Sequence, residues 1–156
     1  MIPPPDKDRM TDDHGMVTPI WKRWFRRVAT GDSEHAFGLT IDGAGSVITA
    51  GIKGFVTVPV AGSIIRATLL STDAAVTPGD IVIDVWQSIA YPPTAGDSIV
   101  GSAPPTLTSG IRSIDDVLTG WTRDFDAGVT FGFSVTSVAL LERVTLVIDY
   151  EPVDVE

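Results

Sequence analysis

Asp124 and Asp126, in the segment TRDFDAG, stand two residues apart, so an extended backbone points both carboxylates to one side. Asp115 and Asp116 lie nearby in the sequence. Two carboxylates at a set separation, one of them in an apolar setting that raises its pKa, are what glycoside hydrolysis requires. Spacing alone supplies neither the separation nor the setting, and Asp-rich turns are ordinary connections between strands. A glycan-cleaving enzyme is therefore the weakest reading of this pair, and the chain is expected to be non-enzymatic. A calcium loop is matched no better: DFDAG begins like an Asp-x-Asp loop but lacks the Gly at its sixth position and the Glu at its twelfth. Asp80 and Asp84 share an even spacing on a strand and read equally as solvent-facing groups. No metal and no cofactor are expected.

The other residue types that carry catalysis are scarce. There is no Cys, which removes thiol nucleophiles, disulfides and thiolate zinc sites. His14 and His35 both fall in N-terminal segments with no third group to hold a catalytic base in place, and read as solvated histidines. The run DGAGS has neither the spacing nor the Lys of a phosphate-binding loop.

Aromatic residues give a better binding signal. Trp86 ends a strand, Tyr91 opens a long loop, and Trp121 precedes TRDFD. Rings beside polar loops suit sugars and protein partners. Trp is also highly buried on average, so Trp86 and Trp121 read at least as well as core residues. The ligand-binding candidates are Tyr91, Trp121 and Trp86. The loop, 88–113, carries two Pro pairs; irregular segments of this length are either functional or firmly tied down.

The elements that must position these residues are strands. DIVIDVWQ alternates Ile81, Ile83 and Val85 with Val82, Asp84 and Trp86. VTFGFSVT sets Phe131, Phe133 and Val135 on one face, and RVTLVIDY does the same with Val144, Leu146, Ile148 and Tyr150. SVITAG, GFVTVPV and SIIRATLLST complete a set of short β-branched runs separated by Gly, Pro and Asp turns. This pattern predicts a mainly β chain folded as an antiparallel β-sandwich. After residue 31 only RSIDDVL could form a helical turn.

Residues 18–30 differ from everything that follows. Thr18 is a good N-cap, Pro19 suits the first helical position, and Gly31 suits the position past the end. Ile20, Trp21, Trp24, Phe25 and Val28 share one face of a 3.6-residue period, while Lys22, Arg23, Arg26 and Arg27 occupy the other. About three turns of helix are marginal in water, so the aromatic face must dock on something. These residues, Pro19 included, are the anchoring candidates, and a partner molecule is favoured over the chain's own sandwich because aromatics dominate the stripe.

The expected organisation is an extended arm over 1–17, the amphipathic helix over 18–30, a flexible linker over 31–45, the β-sandwich over 46–151 and a tail over 152–156. The net charge of −9 argues against nucleic acid as a partner. From Gly31 onward only Lys53, Arg66, Arg112, Arg123 and Arg143 are basic, against sixteen acidic residues, so a basic head precedes an acidic body. No run of about 18 apolar residues exists and the first residues lack a signal-peptide core, so membrane insertion and Sec export are not expected.

Residues 50–150 resemble a β-sandwich module of tailed-bacteriophage virion proteins, found in spikes, tail fibres and head or neck appendages. The resemblance rests on a Gly-aromatic strand, IVIDVW, a Pro-Pro-Thr loop, PPTLTSG, a Trp-Thr pair and a closing VTLVI strand, in that order. TPIWKRWFRRV likewise resembles segments at the start of phage structural proteins. The resemblance implies a jelly-roll-like sandwich in the virion, assembled in the host cytoplasm. Its implied partners are other capsid, neck or tail proteins, with a homo-oligomer, trimer favoured. The family pattern assigns no catalytic residue. The expected function is a non-enzymatic, N-terminally anchored virion protein; the alternative is a module that binds a host-surface glycan or receptor.

Overall fold

The computed structural model describes Met16, Trp21, Lys22, residues 34–71 and residues 78–153. The chain divides into two units, Met1–Glu34 and His35–Glu156. In the first, Trp21 and Lys22 are helical, with Trp21 half-buried and Lys22 exposed. The other anchoring candidates, the extended arm apart from Met16, and His14 lie outside the described residues.

The second unit is a sandwich of two antiparallel sheets. Its strands are β1 (His35–Asp42), β2 (Gly51–Val58), β3 (Gly62–Ser71), β4 (Gly79–Ser88), β5 (Thr106–Gly110), β6 (Arg112–Asp115), β7 (Asp124–Phe125), β8 (Val129–Ala139) and β9 (Arg143–Pro152). One sheet has the order β1-β9-β3-β6, with β7 also paired to β3, and the other has the order β2-β8-β4-β5. No helix among the described residues is long and apolar enough to cross a membrane.

Period-two alternation builds the core. Ile81, Ile83 and Val85 of β4 and Phe131, Phe133 and Val135 of β8 face inward and are buried. Across the gap, Val144, Leu146 and Ile148 of β9 and Ile64, Ala67 and Leu69 of β3 answer them. One end is filled by rings: Phe37 lies 4.3 Å from Phe131, and Phe125 stands edge-on to both Phe131 and Tyr150. The outward positions hold cross-strand polar pairs, such as Arg66 with Asp149 at 2.8 Å and Arg143 with Asp42 at 2.8 Å.

Two expectations are corrected. The linker expected over 31–45 contains β1, which pairs with β9 from His35↔Tyr150 to Asp42↔Arg143. Phe37, Leu39 and Ile41 alternate toward the core, and the intervening glycine that suggested a linker is required by packing. A Cβ on Gly38 would meet the Leu146 carbonyl of β9. The helical turn considered in RSIDDVL is instead the strand β6 followed by a turn that Asp115 caps, its Oδ1 accepting the N–H groups of Val117 and Leu118 at 3.0 Å each.

Candidate functional site

On the face of the β2-β8-β4-β5 sheet that points away from the core, Phe55, Gly132 and Trp86 form one cross-strand row. Gly132 is the low point of that row. A Cβ there would meet Pro93 Cγ at 3.1 Å, Phe55 Cε1 at 3.2 Å and Trp86 Cε3 at 3.2 Å. The missing side chain lets Pro93 settle onto the sheet, and Pro93 is buried. Trp86 is thereby covered and only 6% exposed, although it points outward.

The loop that carries Pro93 is held at several points. Asp84 Oδ2 accepts the Trp86 indole N–H at 2.7 Å, and its Oδ1 accepts the Ser98 hydroxyl at 2.6 Å. Asp97 Oδ2 accepts both the backbone N–H and the hydroxyl of Thr94, at 2.8 and 3.0 Å. Further along, the Ile99 N–H donates to Val85 and the Thr122 N–H to Ile99, extending the sheet edge. The expected long loop is thus tied down over most of its length, and Ile99 and Val100 enter the core.

Tyr91 is the exception. Its ring is 72% exposed and stands edge-on to Phe55, with centroids 5.5 Å apart and planes 69° apart. Ile89, two residues earlier, is 74% exposed. Of the three aromatic ligand candidates, Tyr91 alone is open to a ligand. Trp121 is 8% exposed, and its indole N–H donates to the Ala103 carbonyl at 2.8 Å. Trp86 and Trp121 therefore serve the sandwich: each buries its ring and satisfies its one donor internally. Phe55 and Gly132 belong to the same site and were not singled out from sequence. The sequence signal is that Phe55 falls out of phase with Val56 and Val58, which face the core, but only pairing brings β2 beside the loop.

The carboxylates take other places. Asp124 and Asp126 line one cleft of about 380 Å³ with Ala61, Gly62, Gln87 and Phe125, at the ring-filled end of the sandwich. Both are exposed. The Gln87 amide donates to the Asp124 carbonyl at 3.2 Å, and Gln87 Oε1 is buried without a partner among the described residues. Asp80 accepts the Ser109 N–H at 2.6 Å, Asp84 holds Trp86 and Ser98, and Asp115 caps its turn, so these carboxylates serve as structural acceptors. His35 lies on β1 with its ring 5.5 Å from that of Tyr150. No group of three or more His, Asp or Glu side chains placed to hold a metal occurs among the described residues.

Compared with known proteins, the chain matches no family model, no curated protein and no solved structure.

Proposed function

We propose that this chain is a non-enzymatic structural protein of a tailed-phage virion, attached through its N-terminal aromatic and basic segment and displaying the sandwich from the particle. The observation that carries this reading is the strand order. The orders β1-β9-β3-β6 and β2-β8-β4-β5, which divide strands 1, 3, 6 and 9 from 2, 4, 5 and 8, support reading the sandwich as jelly-roll-like. Jelly rolls are a recurrent architecture of virus capsid and lectin domains.

The division of the chain supports the attachment half of the proposal. Trp21 and Lys22 fall in the unit Met1–Glu34, and the sandwich begins at His35. The basic head, with Lys22, Arg23, Arg26 and Arg27, suits an acidic surface on a neighbouring virion protein or on sister copies of this chain. A homo-oligomer, with a trimer favoured, fits an appendage of this kind.

The test is the protein composition of purified particles from cells that express the gene. The proposal predicts this chain at a fixed copy number per particle by quantitative mass spectrometry. Particles that lack it while the cell lysate contains it would remove the proposal.

A further inference from the structure

From the geometry around Tyr91 we infer a saccharide-binding site on the outer face of the β2-β8-β4-β5 sheet, with the Tyr91 ring as the platform for one pyranose. The inference goes beyond attachment to a particle and does not depend on it.

The exposure of Tyr91 is built in. The residues around it are fixed: Pro93 is buried over Gly132, Asp84 holds both Trp86 and Ser98, and Phe55 meets the Tyr91 ring edge-on. A ring presented in this way loses little freedom when a ligand stacks on it, so more of the contact energy appears as binding. The negative face of an aromatic ring attracts the slightly positive C–H groups that line one side of a pyranose, and the ring excludes water from them.

A pyranose also needs hydrogen-bonding groups beside the ring, and the sheet supplies them. The row next to Phe55–Gly132–Trp86 is Thr57–Thr130–Ser88 across β2, β8 and β4; Thr130 is buried, so exposed Thr57 and half-buried Ser88 are the hydroxyls a ligand can reach. Thr57 and Thr130 share a hydrogen bond at 2.9 Å, and Ser88 Oγ accepts the Ala90 N–H at 3.1 Å. Hydroxyls used as acceptor or shared donor retain capacity for a further partner. On the other side, Ser134 and Asp84 share a row with Ile52. Among the described residues, the Tyr91 hydroxyl has no hydrogen-bond partner and faces solvent with its ring.

A protein partner fits this surface less well. A stable protein complex buries about 800 Å² on each side around an apolar centre. Here the exposed apolar groups are one short run, Ile89, Ala90, Tyr91 and Pro92, and the separate side chain of Ile52, far less than such a centre needs.

The test uses the full chain and saturation-transfer NMR with the methyl pyranosides of glucose, galactose, mannose, N-acetylglucosamine and rhamnose and their short oligomers. At least one should receive saturation, strongest on the C–H protons of one ring face, with a millimolar Kd for the monomer. The chain has only two tyrosines, so ring-labelled tyrosine gives a second readout in the unaltered protein. The Tyr91 ring signals should move on titration and those of Tyr150 should stay. Tyr91→Ala should weaken binding at least tenfold, and Tyr91→Phe should bind within about threefold of the parent. No saturation from any sugar, saturation with a stationary Tyr91 ring, or equal binding by a folded Tyr91→Ala would overturn the inference. So would a loss of self-association, seen by light scattering, as the sole effect of Tyr91→Ala. If Tyr91→Ala does not fold, the ring titration decides alone.

Discussion

Asp84 holds Trp86 from two residues away on the same strand, with 2.7 Å between Oδ2 and the indole nitrogen. The same carboxylate takes the Ser98 hydroxyl on its other oxygen at 2.6 Å. One side chain thus fixes the ring that floors the aromatic row and the end of the loop that covers it. Both bonds run to a carboxylate; the one from Trp86 is half-buried, the setting in which a hydrogen bond contributes most, and the one from Ser98 is exposed.

Asp84→Ala should therefore cost about 2–3 kcal/mol, because two donors lose a charged acceptor. Thermal unfolding reads the loss, and hydrogen exchange should rise over 93–99 while β8 and β9 stay protected. Asp84→Asn should fall between the two, since its amide keeps one acceptor. Unchanged exchange in the loop would show that Pro93 and Ile99 hold it without Asp84.

Gly132→Ala tests the close approach beneath Pro93. The new methyl would press on Pro93, Phe55 and Trp86 at 3.1–3.2 Å. Overpacking of this kind costs about 1–3 kcal/mol. Trp86 emission should shift to the red as Pro93 lifts and water reaches the indole. A variant as stable as the parent, with unchanged emission, would contradict the packing.

Asp124→Asn combined with Asp126→Asn should leave stability within about 0.5 kcal/mol of the parent, as surface substitutions do. Both side chains are exposed, and the Gln87 amide uses the Asp124 backbone carbonyl, which the substitution keeps. No polysaccharide turnover is expected from the parent or the variant. Turnover by the parent that disappears in the variant would establish the cleft as an active site.

Stability should weaken at both ends of the pH range. The Ala44 backbone N–H and then the Arg143 guanidinium lower the pKa of Asp42 below its ordinary 3.8. A carboxylate depressed in the folded state adds stability above its unfolded value, and this is lost as pH falls below 3.8 and through the folded value. Burial raises the Tyr150 hydroxyl above its ordinary 10.0. That group favours the folded state up to about its unfolded value, and the contribution is lost as pH rises through the raised folded value. Asp42→Asn should flatten the acid limb measured by denaturant midpoint, and Tyr150→Phe the alkaline limb. Unaltered limbs would show that other groups control them.

Much of the sandwich could be read from the alternation of Ile81, Ile83 and Val85, of Phe131 and Phe133, and of Leu146 and Ile148. Those residues sit on strands with one dry face, where the period of two is strictest. The strand β1 was hidden by Gly38, whose role depends on the Leu146 carbonyl more than a hundred residues away. The fates of Trp86 and Trp121 were equally non-local. Each is settled by a loop that covers it or a carbonyl that receives its N–H, and composition shows neither. Tyr91 could be flagged because it opened a Pro-rich loop, but its support by Phe55 appears only once β2 lies beside that loop.

The attachment proposal is tested most directly in the full chain carrying Trp21→Ala, Trp24→Ala and Phe25→Ala together. The sandwich should keep its β circular dichroism and a Tm within a few degrees of the parent, and the protein should be missing from purified particles by mass spectrometry. A folded variant incorporated at the parent's copy number, or a variant whose sandwich no longer folds, would contradict it.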